Sequence, residues 1–171
     1  MLELTGQQAK LSSINPRAEI HGEDRKPACD LKFEVACSSD VLLHFNSELR
    51  QFVFKAQEDP DLVEQSGDDK LTALRFPRLA PLKWDWDGSG YTLSIDYGLG
   101  GKSDIVLYDC KVDGIKLEPK NGGTVQMSFR VIAHPEAAEM GRLCELIQQN
   151  VDITLAPPEA STADELFKDA A

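Results

Sequence analysis

The residues best suited to chemistry lie in one short stretch of the chain. Trp84, Trp86 and Tyr91 are close together in the sequence. Aromatic rings stack on bases and cations meet phosphates, so such a stretch is typical of a surface that binds single-stranded nucleic acid. The cations that this surface would use are Lys83, Lys111 and Arg130.

The alternation of residues along the same stretch favours a different role for the rings. Trp84 and Trp86 fall on the strand face that carries Leu82, so we expect their rings in the core beside Tyr91. The cations then occupy the solvated outer face, and a nucleic-acid surface forms only where the fold brings them together. The net negative charge of the chain also disfavours nucleic acid as a partner.

Acidic residues in this stretch resemble part of a calcium-binding loop. Asp85, Asp87, Ser89 and Asp96 fall at the first, third, fifth and twelfth positions of such a loop. The flanking residues form a strand pattern instead of helices, and the twelfth position lacks the usual glutamate. We therefore expect a hairpin turn here and no metal site.

No catalytic constellation is evident elsewhere. The three histidines, His21, His44 and His134, are scattered, and no serine lies in a nucleophile elbow. The run Gly98–Ser103 ends in Gly-Lys-Ser, but a phosphate-binding loop needs a glycine where Asp96 stands. An enzyme would need a cleft that gathers residues such as Asp104 and Asp109. We predict a protein that is not an enzyme and needs no cofactor.

The four cysteines are far apart and form no Cys-x-x-Cys pair. They are Cys29, Cys37, Cys110 and Cys144. Such cysteines read as small buried hydrophobic residues, so we expect neither a disulfide nor a zinc site.

The negative charge is concentrated in two segments. The chain has 171 residues and a net charge of −11; residues 57–70 carry −5 and residues 156–171 carry −3, which leaves −3 for the rest. This pattern predicts a single β-rich domain over residues 1–156, with an acidic mobile loop at 57–70, and a flexible acidic tail over 157–171.

The tail is a second candidate binding element. Asp164, Glu165, Leu166 and Phe167 place two apolar side chains among acids. A short segment of this kind can dock into a hydrophobic groove with a basic rim on a partner protein. A tail that only increases solubility explains the same residues.

Strict alternation of apolar and polar residues predicts most of the strands. The pattern is clearest at Leu31–Val35, Tyr91–Tyr97, Val125–Val131 and Val151–Leu155. Further strands are expected near residues 8–20, 71–76, 81–86 and 104–118, the last with a bend or bulge at Asp113-Gly114.

Turn residues connect these strands into a predicted meander. Asp87–Gly90 is expected to close a hairpin between 82–86 and 91–97, and Asn121–Gly123 one between 104–118 and 124–133. The result is a four-strand antiparallel meander over about 81–133.

Helical spacing predicts two helices. The first covers 39–55, divided near Asn46-Ser47, and the second covers 135–149 with an apolar stripe of Met140, Leu143, Cys144 and Ile147. The predicted fold class is mainly β with two helices, an antiparallel sandwich or open barrel built on a β-meander.

Several segments together carry a resemblance. They are Gly100–Leu107, Asp109–Asp113, Gly122–Val125, Phe129–Val131, His134-Pro135 and Leu143–Gln149. This set resembles uncharacterised bacteriophage and prophage proteins. The resemblance implies a phage-encoded protein that acts in nucleic-acid transactions or counters the host, and it assigns no functional residue.

The preferred functional hypothesis is a non-enzymatic phage accessory protein that binds a host or phage protein in phage DNA metabolism or host takeover. The alternatives are a single-stranded nucleic-acid-binding module and an inhibitor of a host defence that targets nucleic acid. No apolar run reaches the length of a membrane span and no signal peptide is apparent, so we expect no membrane partner and a location in the bacterial cytoplasm.

Overall fold

The structure is a computed structural model that describes residues 1–21, 24–56, 71–98 and 103–158, with the backbone alone at His21 and Asp24. The predicted mobile loop at 57–70 and nearly all of the predicted tail lie outside these residues. Neither prediction is therefore tested.

Strands dominate the described chain. In order, its elements are β1 (Leu4–His21), β2 (Asp24–Ser38), a 3-10 helix (Ser39–His44), α1 (Leu49–Val53), β3 (Phe54–Ala56), β4 (Leu71–Leu74), β5 (Leu82–Trp84), β6 (Gly88–Ile95), β7 (Ile105–Lys120), β8 (Thr124–Ala133), α2 (Ala137–Glu145) and β9 (Asn150–Ala156). The predicted mainly β chain with few helices is confirmed.

Six antiparallel strands close into a barrel. Going round it, the strands are β1, β2, β8, β7, β6 and β9, and β9 pairs again with β1. Closure depends on β7, which pairs with β6 through its first half and with β8 through its second. The sequence left a sandwich or an open barrel as alternatives, and this barrel is closed.

The barrel interior follows from the alternation seen in the sequence. In β8 every second residue is buried, namely Val125, Met127, Phe129, Val131 and Ala133. The rings of Phe33 on β2 and Phe129 stack with centroids 5.6 Å apart. Because successive strand residues point to opposite faces, the intervening polar residues of β8 lie on the outer surface.

Helix α2 spans one end of the barrel. It follows β8 and precedes β9, which lie on opposite sides of the six-strand ring. Leu143 and Leu146 are buried in the core. The predicted helix over 135–149 was too long, because Gln148 has a φ of 66° that a helix does not permit. The predicted apolar stripe was partly wrong, since Cys144 and Ile147 are exposed.

The other end of the barrel is covered by residues 39–56, which follow β2. Ser39 donates its backbone N–H to the Gly123 carbonyl at 2.8 Å, which places the 3-10 helix against the turn between β7 and β8. Val41, Leu42, Val53 and Phe54 are buried here. The predicted helix over 39–55 is divided near Asn46-Ser47 as expected, and its last residues form β3.

The predicted hairpin around Asp87–Gly90 was wrong. Both β5 and β6 pair with β7 along the same edge, so residues 82–95 form one interrupted strand. The predicted meander of four strands therefore has only three rows. β5 and β6 lie end to end in the first row, β7 forms the second and β8 forms the third. The glycine at 88 is explained by packing: a Cβ there would lie 2.7 Å from the rings of both Trp86 and Tyr91.

The predicted hairpin at Asn121–Gly123 and the predicted bulge at Asp113-Gly114 are both confirmed. Lys120 pairs with Thr124 across the turn. The register of β7 against β8 shifts between Asp113 and Lys116, and Gly114 has a φ of 66°. A second irregularity in β7 surrounds Asp109, which has a φ of 51°.

Three of the four cysteines behave as predicted. Cys29, Cys37 and Cys110 are buried and Cys144 is exposed, all four as free thiols. Burial raises the pKa of Cys29 to about 12, and those of Cys37 and Cys110 to about 11. The buried thiols are therefore protonated and unreactive at neutral pH.

Candidate functional site

A groove of about 550 Å³ lies on the outer face of the barrel where β5, β7 and β8 meet. Its walls include Lys83, Trp84, Trp86, Lys111 and Arg130. A smaller depression of about 300 Å³ continues across β8 and β2 to Ser13 on β1. The two share Gly114, Lys116 and Arg130, and we call them together the basic groove.

The bulge in β7 gives the basic groove its shape. Gly114 lies in both depressions and adopts a left-handed conformation, which costs glycine little and other residues much more. A bulge bends its strand and increases the local twist. A Cβ on Gly114 would contact Arg130 Cβ at 3.7 Å, so the bulge also brings β7 close to the arginine on β8.

Pairing between strands sets like charges opposite each other in the basic groove. Lys83 on β5 is directly opposite Lys116 on β7. Lys32 on β2 is directly opposite Arg130 on β8. Like charges in such positions destabilise a sheet. Two such pairs side by side are therefore better suited to binding an anion than to stabilising the barrel.

Acids neutralise two of the five cations of the basic groove. Arg130 donates to both carboxylate oxygens of Asp113, at 2.6 and 2.7 Å, and this bond raises the pKa of the guanidinium. Lys111 Nζ lies 3.0 Å from Asp87. Lys32, Lys83 and Lys116 form no ion pair with any described residue, so three cations are available to a ligand.

The local charge is slightly positive on a strongly negative chain. The basic groove has the five cations Lys32, Lys83, Lys111, Lys116 and Arg130, against the four acids Asp30, Asp85, Asp87 and Asp113. The balance is +1, whereas the whole chain carries −11. An anion is therefore attracted to the groove itself and repelled by the chain as a whole.

The two tryptophans are half-buried and line one wall of the basic groove. Trp84 packs against Phe45 with ring centroids 5.7 Å apart, and the rings of Trp86 and Tyr91 are perpendicular with centroids 6.1 Å apart. Tyr91 is buried, as predicted. Because Phe45 and Tyr91 pack against the two tryptophans and fix them in place at the border of the groove, a planar ligand can contact the tryptophans without rearrangement of the core.

The structure brings together all three cations named from the sequence. Lys83, Lys111 and Arg130 line one depression on the outer face of the barrel. Lys32 and Lys116 also line the basic groove and were not predicted from the sequence. Their outward position could be read from strand alternation, but their meeting depends on the pairing of β2, β8, β7 and β5, which the sequence did not provide.

The carboxylates considered for calcium do not converge. Asp87 pairs with Lys111, and Asp96 accepts a hydrogen bond from the Gly98 N–H at 2.7 Å. They flank β6, whose extended backbone separates them by roughly 30 Å. Within the described ranges no group of three or more His, Cys, Asp or Glu residues is arranged to hold a metal ion.

The histidines and the remaining sequence candidates form no common site in the described part of the chain. His44 contacts the Met1 carbonyl at 3.1 Å, and His134 pairs with Glu19 at 2.9 Å near the other end of the barrel. The structure does not describe the His21 side chain or residues 99–102 of the glycine-rich run. It also does not describe the tail residues Asp164, Glu165, Leu166 and Phe167.

A second exposed feature is an aromatic pair away from the basic groove. Phe52 and Phe76 are 57% and 48% exposed, with ring centroids 5.5 Å apart. Helix α1 buries Val53 and leaves its neighbour Phe52 on the surface.

Comparison of the chain with protein-family models, with curated proteins and with solved structures gives no match. Among the helices that the structure describes, none has the length and apolar character needed to cross a membrane. The class that the fold and the site define is thus a closed six-strand antiparallel barrel with a basic groove on its outer face.

Proposed function

We propose that this is a non-enzymatic binding protein that holds single-stranded nucleic acid in the basic groove. The observation that carries the proposal is the meeting of five cations from β2, β5, β7 and β8, three of them without an ion-pair partner in the described chain. An anionic ligand relieves the repulsion between Lys83 and Lys116, which lie directly opposite each other and have no ion-pair partner in the described chain.

The dimensions of the basic groove suit a short strand. It crosses five neighbouring strands from β5 to β1, which at about 4.8 Å per strand is a length of roughly 20 Å. Such a length accommodates several linked phosphates but not an extended duplex surface. Trp84 and Trp86 lie along the wall, where bases that are not paired can stack on them.

Binding of a short fluorescent oligothymidylate, followed by anisotropy at low salt, tests this function. The full chain with Lys83→Glu and Lys116→Glu is expected to bind on the order of tenfold or more weakly, because two free cations become anions. Arg25→Glu with Arg78→Glu is the matched control: both arginines are exposed, both lie outside the basic groove, and the change in net charge is the same.

Equal loss of binding in both double variants would show that the net charge of the chain matters and that the groove does not. Absence of binding by the unmodified chain would remove the proposed function. Duplex of the same length is the competitor, and we expect it to bind more weakly because its paired bases cannot stack on the tryptophans.

A second proposed function is binding of a host or phage protein, and the exposed pair of Phe52 and Phe76 favours it. Aromatic residues are enriched at protein interfaces. The acids and apolar residues of the tail, Asp164–Phe167, remain a proposed contact of the same kind. The phage setting and a cytoplasmic location rest on the sequence alone.

Affinity capture from phage-infected cells tests this second function. The full chain is compared with its Phe52→Ser and Phe76→Ser variant, and we expect one specific protein to be recovered by the former and lost by the latter. Recovery of the same proteins by the full chain and by the variant would show that the aromatic pair does not contribute to partner binding.

A further inference from the structure

One carboxylate of the basic groove differs from the other three. Asp30, Asp87 and Asp113 each lie within 3.0 Å of a cation. Asp85 is exposed, and its side chain forms no ion pair or hydrogen bond with any residue that the structure describes. An unpaired carboxylate repels phosphate, so it weakens the groove as a site for a simple anion. It suits a ligand that also brings hydrogen-bond donors.

A tight turn holds Asp85 between the two tryptophans of the groove wall. The Trp86 backbone N–H donates to the Trp84 carbonyl at 3.1 Å, which closes a three-residue turn centred on Asp85. All three residues line the same depression. A base that stacks on either indole therefore lies close to the Asp85 carboxylate, and its edge is available for hydrogen bonds.

The bulge in β7 leaves open space beside this carboxylate. The pairing of β5 with β7 ends at Trp84 and Ile115. Asp85 and Gly114 are the next residues along the two strands. Among the described residues, a Cβ on Gly114 would meet only Arg130 Cβ within 4 Å, apart from its own chain neighbours. Because glycine adds no side chain, a flat ligand group can reach Asp85 from this side.

The four bases differ in the donors that they offer to a carboxylate. Guanine presents two adjacent donors, N1–H and the N2 amine, which match the two oxygens of one carboxylate. Adenine and cytosine present an amine beside a ring nitrogen that is an acceptor, and thymine presents one N–H between two carbonyl oxygens. These acceptors repel a carboxylate, which itself only accepts. Guanine is therefore the base that fits Asp85 best.

We propose that Asp85 makes the basic groove selective for single strands that contain guanine, by accepting N1–H and N2–H from a guanine stacked beside Trp84 and Trp86. This inference rests on the proposed function of the groove and adds a base preference to it. The lysines of the groove hold the phosphates, which are the same in every sequence and carry no preference of their own.

Anisotropy measurements on the full chain at low salt test this preference. A short fluorescent oligothymidylate is compared with versions that carry one guanine, adenine or cytosine at the central position. The guanine strand is expected to bind at least about fivefold more tightly than plain oligothymidylate, since it gains two hydrogen bonds to the carboxylate. A strand with hypoxanthine, which lacks the N2 amine, should have an intermediate affinity.

Asp85→Asn is expected to reduce the guanine preference to less than about twofold, because the amide nitrogen offers a donor where guanine needs an acceptor. The variant should bind plain oligothymidylate at least as tightly as the unmodified chain, since a negative charge leaves the groove. That binding also shows that the variant is folded. Asp152→Asn is the matched control: Asp152 is exposed on β9, outside the groove, so we expect the full preference.

Equal affinity for all of these strands would overturn the base preference and leave the proposed function intact. A guanine preference that persists in Asp85→Asn, or a stronger preference for adenine or cytosine, would also overturn it. Absence of binding to every strand would remove the proposed function and the base preference together.

Discussion

Gly88 illustrates how a single residue can be mistaken for a turn signal. Its sequence neighbours Asp87, Ser89 and Gly90 are typical of a hairpin, yet the residue lies at the start of β6. A Cβ at this position would be 2.7 Å from Trp86 Cη2 and 2.7 Å from Tyr91 Cε2. The glycine is needed because two rings meet above it.

Replacement of Gly88 by alanine is expected to destabilise the barrel by about 1–3 kcal/mol, because a ring must move to make room for the methyl group. Chemical unfolding followed by circular dichroism gives the free energy of unfolding. Gly141→Ala in α2 is the control: no atom lies within 4 Å of its added Cβ, so we expect a gain of up to about 1 kcal/mol. A neutral Gly88→Ala would mean that the rings move freely.

The buried thiols make the free energy of unfolding depend on pH in the alkaline range. Burial raises the pKa of Cys37 and Cys110 from 9.0 to about 11. Above pH 9 the unfolded chain loses these protons while the folded chain keeps them, so the free energy of unfolding falls as the pH rises from about 9 towards 11.

Urea unfolding at pH 8 and at pH 10 measures this dependence. Lysine and tyrosine residues also titrate in the range, so the comparison is with the variant Cys37→Ala and Cys110→Ala. We expect the variant to lose less stability between the two pH values than the unmodified chain. The same loss in both proteins would show that these thiols do not contribute.

At the scale of elements, the pairing of β5 with β7 lowers the stability of the sheet and supplies cations for the proposed binding function. Lys83 and Lys116 repel each other directly across the two strands. Replacing one of them by an acid converts the repulsion into an attraction, and it also removes a cation from the basic groove.

Lys83→Glu is therefore expected to increase the free energy of unfolding by about 0.2–1 kcal/mol and to weaken oligothymidylate binding. Unfolding and anisotropy measurements on the same preparation check both effects. Adding Lys116→Glu should remove the gain in stability, because two glutamates again repel each other. A single variant that is less stable than the unmodified chain would contradict the pairing.

Several elements could be predicted because their signals are local. Alternation located β2, β6, β8 and β9, and the Asn121–Gly123 turn and the Asp113-Gly114 bulge followed from residue type. The pairing of β1 with β9 and of β2 with β8 could not be predicted, since it joins residues far apart in the chain. The basic groove depends on that pairing. Three of its cations could therefore be named from the sequence, whereas their proximity could not be predicted.

At the scale of the whole molecule, charge limits how strongly nucleic acid can bind. The net charge is −11, and only three cations of the basic groove lack an ion-pair partner in the described chain. Three phosphate contacts predict a slope of about −2 for the logarithm of the binding constant against that of salt concentration, whereas five contacts predict about −3.5.

A salt titration of oligothymidylate binding measures this slope. Lys32→Gln is expected to make it shallower by about 0.7, because one phosphate contact disappears. Lys111→Gln should change it less, since Lys111 is already neutralised by Asp87. A slope near −3.5 in the unmodified chain would mean that the ligand displaces the acids from Lys111 and Arg130.

The position of β9 also determines when the barrel can close during synthesis. This strand alone fills the gap between β6 and β1, and it is the last of the described strands to leave the ribosome. Until it emerges, β1 and β6 carry unpaired backbone edges that can pair with other nascent chains. Slow translation of residues 134–149 should therefore favour aggregation, and a ribosome stalled before β9 should hold an open and chaperone-dependent sheet.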